Sequence, residues 1–296
     1  MRDWKLDKLG PASVTVDLNR GARISELTIL ERNILAAPDA LNPSPFRDGL
    51  FAMAPYAGRL ARARFTWGGE QHILPANAVP HSAHGVAADV AWSMPEPGVF
   101  GIDFDARWPF GGSAREEIRT SAEGMGILLT VSNDRQRMPA SPGLHPWFNR
   151  AIEGTEAILT WPVDKVYREN ALITSRTLVD RDPSTRTWTA PTNDQAPILA
   201  WPGLFELTLS SFNARCWVIH ETEDAICVEP QFAPGNALNA GDAVIVSPGT
   251  PCTIDLDVRV RPLGESIENV LAEGRELLAE YGTPHPPAPT RQPGRS

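Results

Sequence analysis

Long apolar runs are missing from the 296-residue sequence, which has no stretch of about 18 consecutive apolar residues. A helix that crosses a bilayer needs about that length, so the sequence predicts no membrane span. The N-terminal segment MRDWKLDKLG also lacks the apolar centre of an export signal. The expectation is therefore a cytoplasmic protein.

Positive charge is scarce as well, because 27 Lys and Arg residues are outnumbered by 36 Asp and Glu residues. The resulting net charge of −9 disfavours nucleic acid and anionic membranes as partners, since both repel an acidic surface. A small neutral molecule is the partner that this charge favours. The sequence does not indicate the oligomeric state.

Cysteine is rare, and the three residues Cys216, Cys227 and Cys252 each lie within an apolar segment. An odd number in apolar surroundings predicts buried, reduced thiols rather than a disulfide framework or a zinc site. The chain also lacks a glycine-rich coenzyme motif and the Ser/His/Asp order of a hydrolase. We therefore predict no cofactor.

Turn-forming residues are abundant instead, with 28 Pro and 23 Gly between short apolar segments. This pattern is typical of many short strands, and it predicts one large all-β domain over residues 1–281. Hairpins are expected at Asn19–Gly21, Gly68–Gly69 and Glu123–Gly124, and a strand is expected at Gly101–Trp108. In contrast, the polar, Pro-containing segment Thr174–Pro197 predicts a long excursion without strands. Three tryptophans are expected in the core, namely Trp161, Trp201 and Trp217.

The C-terminal region differs in composition from the rest of the chain. Segment Glu265–Tyr281 carries apolar residues at helical spacing, which predicts a short terminal helix. Residues 282–296 are rich in Pro and polar residues, so we expect a disordered tail.

One carboxylate interrupts an otherwise apolar strand pattern. In the predicted strand Ala225–Gln231, Ile226 and Val228 point towards a core, while Glu229 lies on the opposite face. Pro230 cannot donate a ladder hydrogen bond, so it is expected at a sheet edge, a bulge or a strand end. A carboxylate in this position is a candidate general base. The simpler alternative is a glutamate that faces solvent, as most strand carboxylates do.

A second informative stretch is SPGLHPWFNR, in which His145 shares a face with Trp147 if the chain is extended. His145 is then either a core histidine or a titrating acid at the edge of an aromatic cleft. Arg59 follows a Pro-Tyr-Ala-Gly turn, where its guanidinium could reach the hydroxyl groups of a ligand. Arg62 and Arg64 are expected to lie on a solvated face.

The spacing of His81 and His84 is compatible with metal chelation. No helical frame holds the two side chains together, however, and no third ligand lies nearby in the sequence. We therefore predict no metal site.

Four motifs in order resemble the aldose 1-epimerase (galactose mutarotase) family, over a region from about Val14 to Arg261. They are APYAGRLARARFTWGG, AHGVAADVAW, GLHPWFNR and VEPQFAPGNALN. The resemblance implies a galactose mutarotase-like β-supersandwich of mostly antiparallel strands. It also implies an isomerase that interconverts the α and β anomers of a free hexose in carbohydrate metabolism.

The resemblance implies a role for each matching residue. Glu229 matches the family's general base and His145 its general acid, while Arg59 and His84 match residues that bind the sugar. Gln231 lies in the same motif as Glu229 and is expected beside it.

Two positions depart from the family pattern. Gly58 replaces an Asn that normally precedes the arginine. The family's sugar-binding Asp has no clear counterpart, and Asp194 in TNDQAPILAWPG is the candidate.

Two alternatives to a free-hexose epimerase remain open from the sequence. An epimerase of hexose 6-phosphates would need a basic cluster, which Arg59, Arg62 and Arg64 could supply. A sugar sensor of the same fold would bind without catalysis, although a binder does not need a matched acid and base.

Overall fold

The computed structural model describes residues 3–6, 10–41 and 44–263. The predicted helix at Glu265–Tyr281 and the predicted tail at 282–296 lie outside the described residues. Within them, the chain is almost entirely β-structure, with a 3-10 turn at Ala61–Ala63 and a short helix α1 at Ala237–Ala240. No helix in this part of the chain is long and apolar enough to cross a membrane.

The strands of the first half are β1 (Asp3–Leu6), β2 (Ala12–Asp17), β3 (Arg23–Ile29), β4 (Arg32–Asn33), β5 (Leu50–Met53), β6 (Arg59–Leu60), β7 (Arg64–Trp67), β8 (Glu70–Ile73), β9 (Ser82–Ala83), β10 (Ser93–Glu96), β11 (Val99–Asp103), β12 (Ser113–Ser121), β13 (Gly124–Ser132) and β14 (Met138–Ala140). Those of the second half are β15 (Gly143–Asn149), β16 (Ala151–Ile152), β17 (Thr155–Glu156), β18 (Ile158–Thr160), β19 (Lys165–Asn170), β20 (Ile173–Asp180), β21 (Thr187–Pro191), β22 (Ile198–Trp201), β23 (Phe205–Ser210), β24 (Cys216–Glu221), β25 (Ala225–Gln231), β26 (Val244–Val246) and β27 (Cys252–Pro262).

Two large antiparallel sheets form the body of the protein. The larger has eleven strands in the order β1-β2-β3-β5-β15-β25-β24-β21-β19-β20, with β4 paired to β3. The smaller has eight strands in the order β10-β11-β12-β13-β27-β23-β22-β18. Apolar side chains from both sheets meet in one core, so the sheets pack as a sandwich. This architecture confirms the predicted all-β fold.

The side chains predicted to be buried are buried. Trp161, Trp201 and Trp217 all lie in the core between the sheets. The three cysteines are free and buried, as predicted.

Strand β25 has the bounds predicted from its alternating pattern, but it occupies an interior position between β15 and β24. All seven of its residues are buried. Ile226 and Val228 contribute to the core between the sheets. Of the positions predicted for Pro230, the strand end is correct, because Pro230 precedes the last residue of β25. The sheet edge is wrong, because β25 is an interior strand.

Two local predictions were wrong. Segment Thr174–Pro197 contains most of β20 and all of β21, because β21 is inserted between β24 and β19 of the larger sheet. Thr187 and Thr189 alternate with the apolar residues Trp188 and Ala190 in β21, and a composition-based interpretation mistakes such a strand for a loop. The strand predicted at Gly101–Trp108 ends at Asp103, where a turn begins that is closed by the Trp108 N–H and the Asp105 carbonyl at 3.0 Å.

Candidate active site

A cavity of about 610 Å³ opens on the outer face of the larger sheet, which faces away from the smaller sheet. Its floor is made by the central strands β15, β25, β24 and β21, and its walls by three segments. These walls are the loop 44–47, the two-stranded ribbon of β6 and β9, and the hairpin of β19 and β20. The polar and charged lining residues are Ser44, Arg47, Arg59, His84, His145, Glu169, Thr174, Thr187, Thr189, His220, Thr222, Glu229 and Gln231.

His145 and Glu229 lie side by side on the floor of the cavity. Strands β15 and β25 pair in a register that sets Gly143 opposite Gln231 and Trp147 opposite Cys227, so His145 and Glu229 are in line between these pairs. His145 Nε2 and Glu229 Oε1 are 3.2 Å apart. Antiparallel pairing thus joins two residues that are distant in the sequence.

Gln231 completes the arrangement around the carboxyl group. It lies two residues after Glu229 on the same face, and its Nε2 donates a hydrogen bond of 3.0 Å to Glu229 Oε2. Both side chains are almost completely buried. The two carboxyl oxygens of Glu229 therefore have different partners, one imidazole and one amide.

Aromatic rings fix the position of the His145 imidazole. Phe51 stacks on it with a centroid distance of 4.7 Å, and Trp147 stacks on it at 5.4 Å. The His84 ring forms a T-shaped pair with it, at a centroid distance of 5.2 Å. His145 Nδ1 is buried without a hydrogen-bond partner among the described residues, whereas Nε2 faces the Glu229 carboxyl group.

Burial shifts both titrating groups towards their uncharged forms. It raises the pKa of Glu229 to about 8, although the Gln231 hydrogen bond and the charge of Arg59 oppose this shift. Burial, with the nearby positive charges of histidines and Arg23, lowers the pKa of His145 well below its usual value. Both shifts favour the uncharged pair, with the proton on the Glu229 carboxyl group rather than on the His145 imidazole.

Arg59 and His84 meet because β6 pairs with β9, which sets Arg59 opposite Ala83. The chain then turns sharply, with His84 at φ 59° and Gly85 at φ 71°. A Cβ atom on Gly85 would come within 2.0 Å of the Ala54 carbonyl oxygen, so glycine is required there. Burial and the charge of Arg59 lower the pKa of His84 to about 3, which keeps this imidazole neutral.

The structure explains the glycine at position 58. Gly58 lines the cavity with φ 69°, and a Cβ atom there would approach Gly235 Cα to 2.8 Å. A side chain at this position would need both a left-handed conformation and a displaced neighbouring loop. The missing asparagine amide thus follows from local packing.

The structure does not bring Asp194 to the other predicted site residues. Asp194 is exposed in the loop between β21 and β22, and it is not among the cavity-lining residues. The loop connects the larger sheet to the smaller one, which carries Asp194 away from the outer face. Arg62 and Arg64 do not line the cavity either, and Arg64 is exposed, as expected for a solvated face.

One group of three side chains in the described residues has the proximity needed to hold a metal ion. The ligand atoms of His145, Cys227 and Glu229 lie within 4.8 Å of one another. Burial raises the pKa of the Cys227 thiol well above its usual value, which opposes the thiolate that a metal would require. His81 is occupied elsewhere, since its Nδ1 accepts a hydrogen bond of 3.1 Å from the Arg62 backbone N–H.

Several residues of the cavity were missed in the sequence. Arg47 lies in the loop 44–47, and Glu169 lies near the tip of the β19–β20 hairpin. Thr187 and Thr189 alternate with the apolar residues Trp188 and Ala190 in β21, a period-2 signal that could have revealed them. His220 lies in β24, and the face that its side chain occupies depends on the register with β25.

The fold and the cavity define a two-sheet antiparallel β-sandwich of the galactose mutarotase-like type, with a polar cavity over the central strands. The chain belongs to the aldose 1-epimerase family, whose family model matches residues 12–257.

Solved structures agree with this fold. A galactose mutarotase-like protein from Clostridium acetobutylicum has a TM-score of 0.75 at 14% identity, covering 88% of this chain and 98% of its own. A galactose 1-epimerase from Lactobacillus acidophilus has a TM-score of 0.72 at 16% identity, covering 89% and 95%. An aldose epimerase homologue from C. elegans has a TM-score of 0.72 at 13% identity, covering 89% and 99%. A search of curated protein sequences gave no significant match.

Proposed function

We propose that the protein is an aldose 1-epimerase, an isomerase that interconverts the α and β anomers of a free hexose. The observation that carries the proposal is the 3.2 Å contact between His145 Nε2 and Glu229 Oε1 on the floor of a cavity of about 610 Å³. Mutarotation requires one proton acceptor and one proton donor close to the anomeric centre. A cavity of this size is within the range of small-molecule sites.

The proposed reaction moves one proton off the sugar and one onto it. Glu229 accepts the proton of the C1 hydroxyl while His145 donates a proton to the ring oxygen, so that the bond between C1 and the ring oxygen breaks and a C1 carbonyl forms. Rotation about the C1–C2 bond presents the other face of the carbonyl. Reversal of both proton transfers closes the ring as the other anomer, and the chemistry requires neither a metal nor a coenzyme.

These roles require a protonated His145 and a Glu229 carboxylate. In the free protein, burial instead favours a neutral His145 and a protonated Glu229. A proton that crosses the 3.2 Å contact converts one form into the other without changing the net charge. The positive charge of Arg59 lowers the pKa of Glu229 and so favours the reactive form. We therefore assign the pair, with one proton between its members, as the catalytic unit.

Arg59 and His84 are proposed to bind the sugar. Arg59 lines the cavity, and its side chain has neither a hydrogen bond nor an ion pair among the described residues, so its donors are available to hydroxyl groups. The neutral His84 imidazole lies beside His145, where it can bind a hydroxyl near the ring oxygen. Gln231 is proposed to orient the Glu229 carboxyl through their hydrogen bond.

The hexose 6-phosphate alternative has weaker support. Of the three arginines considered for a phosphate site, only Arg59 lines the cavity. Arg47 adds a second guanidinium, but its side chain is exposed and lies 6.0 Å from the Trp147 ring centroid. A sugar sensor has no use for an adjacent acid and base, so catalysis is the proposal that explains the pair.

Polarimetry tests this proposal directly. Freshly dissolved α-glucose and α-galactose should reach anomeric equilibrium faster in the presence of the protein, and equally fast after dialysis of the protein against a strong chelator. The 6-phosphates of both sugars, measured in parallel, should react more slowly than the free sugars. If the protein binds a free aldose without accelerating mutarotation, it is a sugar sensor and not an enzyme. If it acts only on the 6-phosphates, its substrate is a hexose 6-phosphate and not a free hexose.

A further inference from the structure

We propose that Thr187 and His220 form a second polar subsite on the cavity floor, which binds a hydroxyl group of the sugar remote from C1. This inference rests on the proposed function. The two residues are on neighbouring strands, and Thr187 Oγ1 and His220 Nδ1 are 2.6 Å apart. Both line the same cavity as the catalytic pair.

The strand register places this subsite at a fixed position on the floor. A cross-strand row runs over four strands, with Trp147 opposite Cys227, Cys227 opposite His220, and His220 opposite Thr187. Residues opposite each other in a sheet project from the same face, so all four side chains belong to the outer face.

A parallel row contains the catalytic carboxyl group. Glu229 is opposite Val218, and Val218 is opposite Thr189. His220 follows Val218 by two residues, which makes His220 a diagonal neighbour of Glu229 on the same face. Diagonal neighbours are roughly 7–8 Å apart. A pyranose with its anomeric end at Glu229 can therefore reach His220 with a hydroxyl on the other side of the ring.

The hydrogen bond to Thr187 prepares the imidazole for a ligand. It holds Nδ1, and Trp147 meets the ring edge-on with a centroid distance of 5.6 Å. Nε2 has no hydrogen-bond partner among the described residues. Burial and the charges of Arg59 and Arg47 lower the pKa of His220, so the ring is neutral at neutral pH. In either tautomer Nε2 can pair with a sugar hydroxyl, because a hydroxyl both donates and accepts.

The groups that the subsite itself offers are uncharged and suit a hydroxyl, while the guanidiniums of Arg59 and Arg47 act on it from elsewhere in the cavity. Its groups are a neutral imidazole and the hydroxyls of Thr187 and Thr189, and the two cross-strand rows contain no Lys or Arg. Packing of the core does not require these polar side chains. Trp188, which lies between the two threonines, already supplies the apolar contact on the opposite face of the strand.

A panel of monodeoxy sugars, each lacking one hydroxyl, tests the subsite at every ring position. In the wild-type protein, removal of the hydroxyl bound by His220 should lower kcat/KM about 10-fold, the value of one hydrogen bond of about 1.4 kcal/mol. In His220→Ala, kcat/KM for the parent sugar should fall by the same factor. Removal of that hydroxyl from the sugar should then lower kcat/KM of this variant no further. Penalties at the other deoxy positions should be unchanged. Thr187→Val, which keeps the shape but frees Nδ1, should reduce the same penalty in part.

The controls separate this inference from the proposed function. His72→Ala removes a histidine outside the cavity and should leave every deoxy penalty at the wild-type value. If the wild type accelerates mutarotation but all deoxy penalties persist in both His220→Ala and Thr187→Val, the subsite is wrong and the enzyme assignment survives. If no deoxy position carries a penalty in the wild type, the subsite is also wrong. An inactive wild type would reject the proposed function itself.

Discussion

The ring of Phe51 stacks on the imidazole of His145, with centroids 4.7 Å apart and planes inclined by 24°. The two residues are direct neighbours across strands β5 and β15. Phe51 also contacts the buried guanidinium of Arg23, whose Cζ lies 4.6 Å from the ring centroid. Phe51 therefore links the packing around Arg23 to the proposed acid.

Phe51→Leu should impair catalysis by loosening His145. We expect kcat to fall roughly 10-fold with little change in KM, because orientation of the acid is lost while the sugar-binding residues remain. Phe205→Leu is the matched control, since Phe205 is buried in the core away from the cavity. Both substitutions should lower the free energy of unfolding by roughly 1–2 kcal/mol. Equal kcat values in the two variants would refute this positioning role.

Removal of either proton-transfer group should abolish most of the catalysed rate. Glu229→Gln retains the shape and the polar contact to Gln231 but removes the base, and His145→Asn removes the imidazole. Each should reduce kcat by roughly 10² or more, whereas sugar affinity should change far less. Arg59→Ala and His84→Ala are expected to act mainly on KM. Wild-type mutarotation by Glu229→Gln would exclude the base assignment.

The pH profile of kcat/KM should be bell-shaped, because His145 and Glu229 must carry one proton between them. As pH rises through about 8, where the pKa of Glu229 lies, the pair loses that proton and kcat/KM should fall. On the acid side, a second proton adds to His145 only well below its ordinary pKa of 6.5, so activity should persist below that pH. Initial-rate polarimetry, corrected for uncatalysed mutarotation at each pH, measures both limbs. An alkaline limb absent up to about pH 10 would contradict the assignment.

Glu116 should make the protein less stable as pH rises. Its side chain is 1% exposed within β12, its Oε2 has no hydrogen-bond partner among the described residues, and burial raises its pKa to about 8. Because the folded-state pKa exceeds the ordinary 4.5, the full contribution to stability is present below pH 4.5 and is lost as pH rises through about 8. The slope for one such group is at most about 1.4 kcal/mol per pH unit.

Denaturant unfolding at several pH values checks this prediction. Glu116→Gln should reduce the loss of stability between about pH 5 and 8, and the exposed Glu123→Gln should not. Glu229, whose pKa is raised in the same direction, should contribute a similar slope that Glu229→Gln removes. An unchanged pH dependence in Glu116→Gln would show that Glu116 is not the buried acid responsible.

Local patterns in the sequence were sufficient for part of the site. Alternation defined β25 to the residue and separated Glu229 from the core positions Ile226 and Val228. It also set His145 on the same face as Trp147, and the two rings do stack. The position of Asp194 and the strand β21 could not be obtained in this way, because each depends on where the chain runs relative to the second sheet.

The sequence by itself determined that the protein is a chain of many short strands with one carboxylate set into an apolar strand. This follows from physics that acts within a few residues, namely side-chain alternation and turn preferences. Only the tertiary structure decided that His145 contacts Glu229, that Thr187 and His220 share their cavity, and that burial shifts the pKa values of the pair towards the uncharged forms. Strand register and burial arise from long-range packing, and both distances and pKa values depend on that packing.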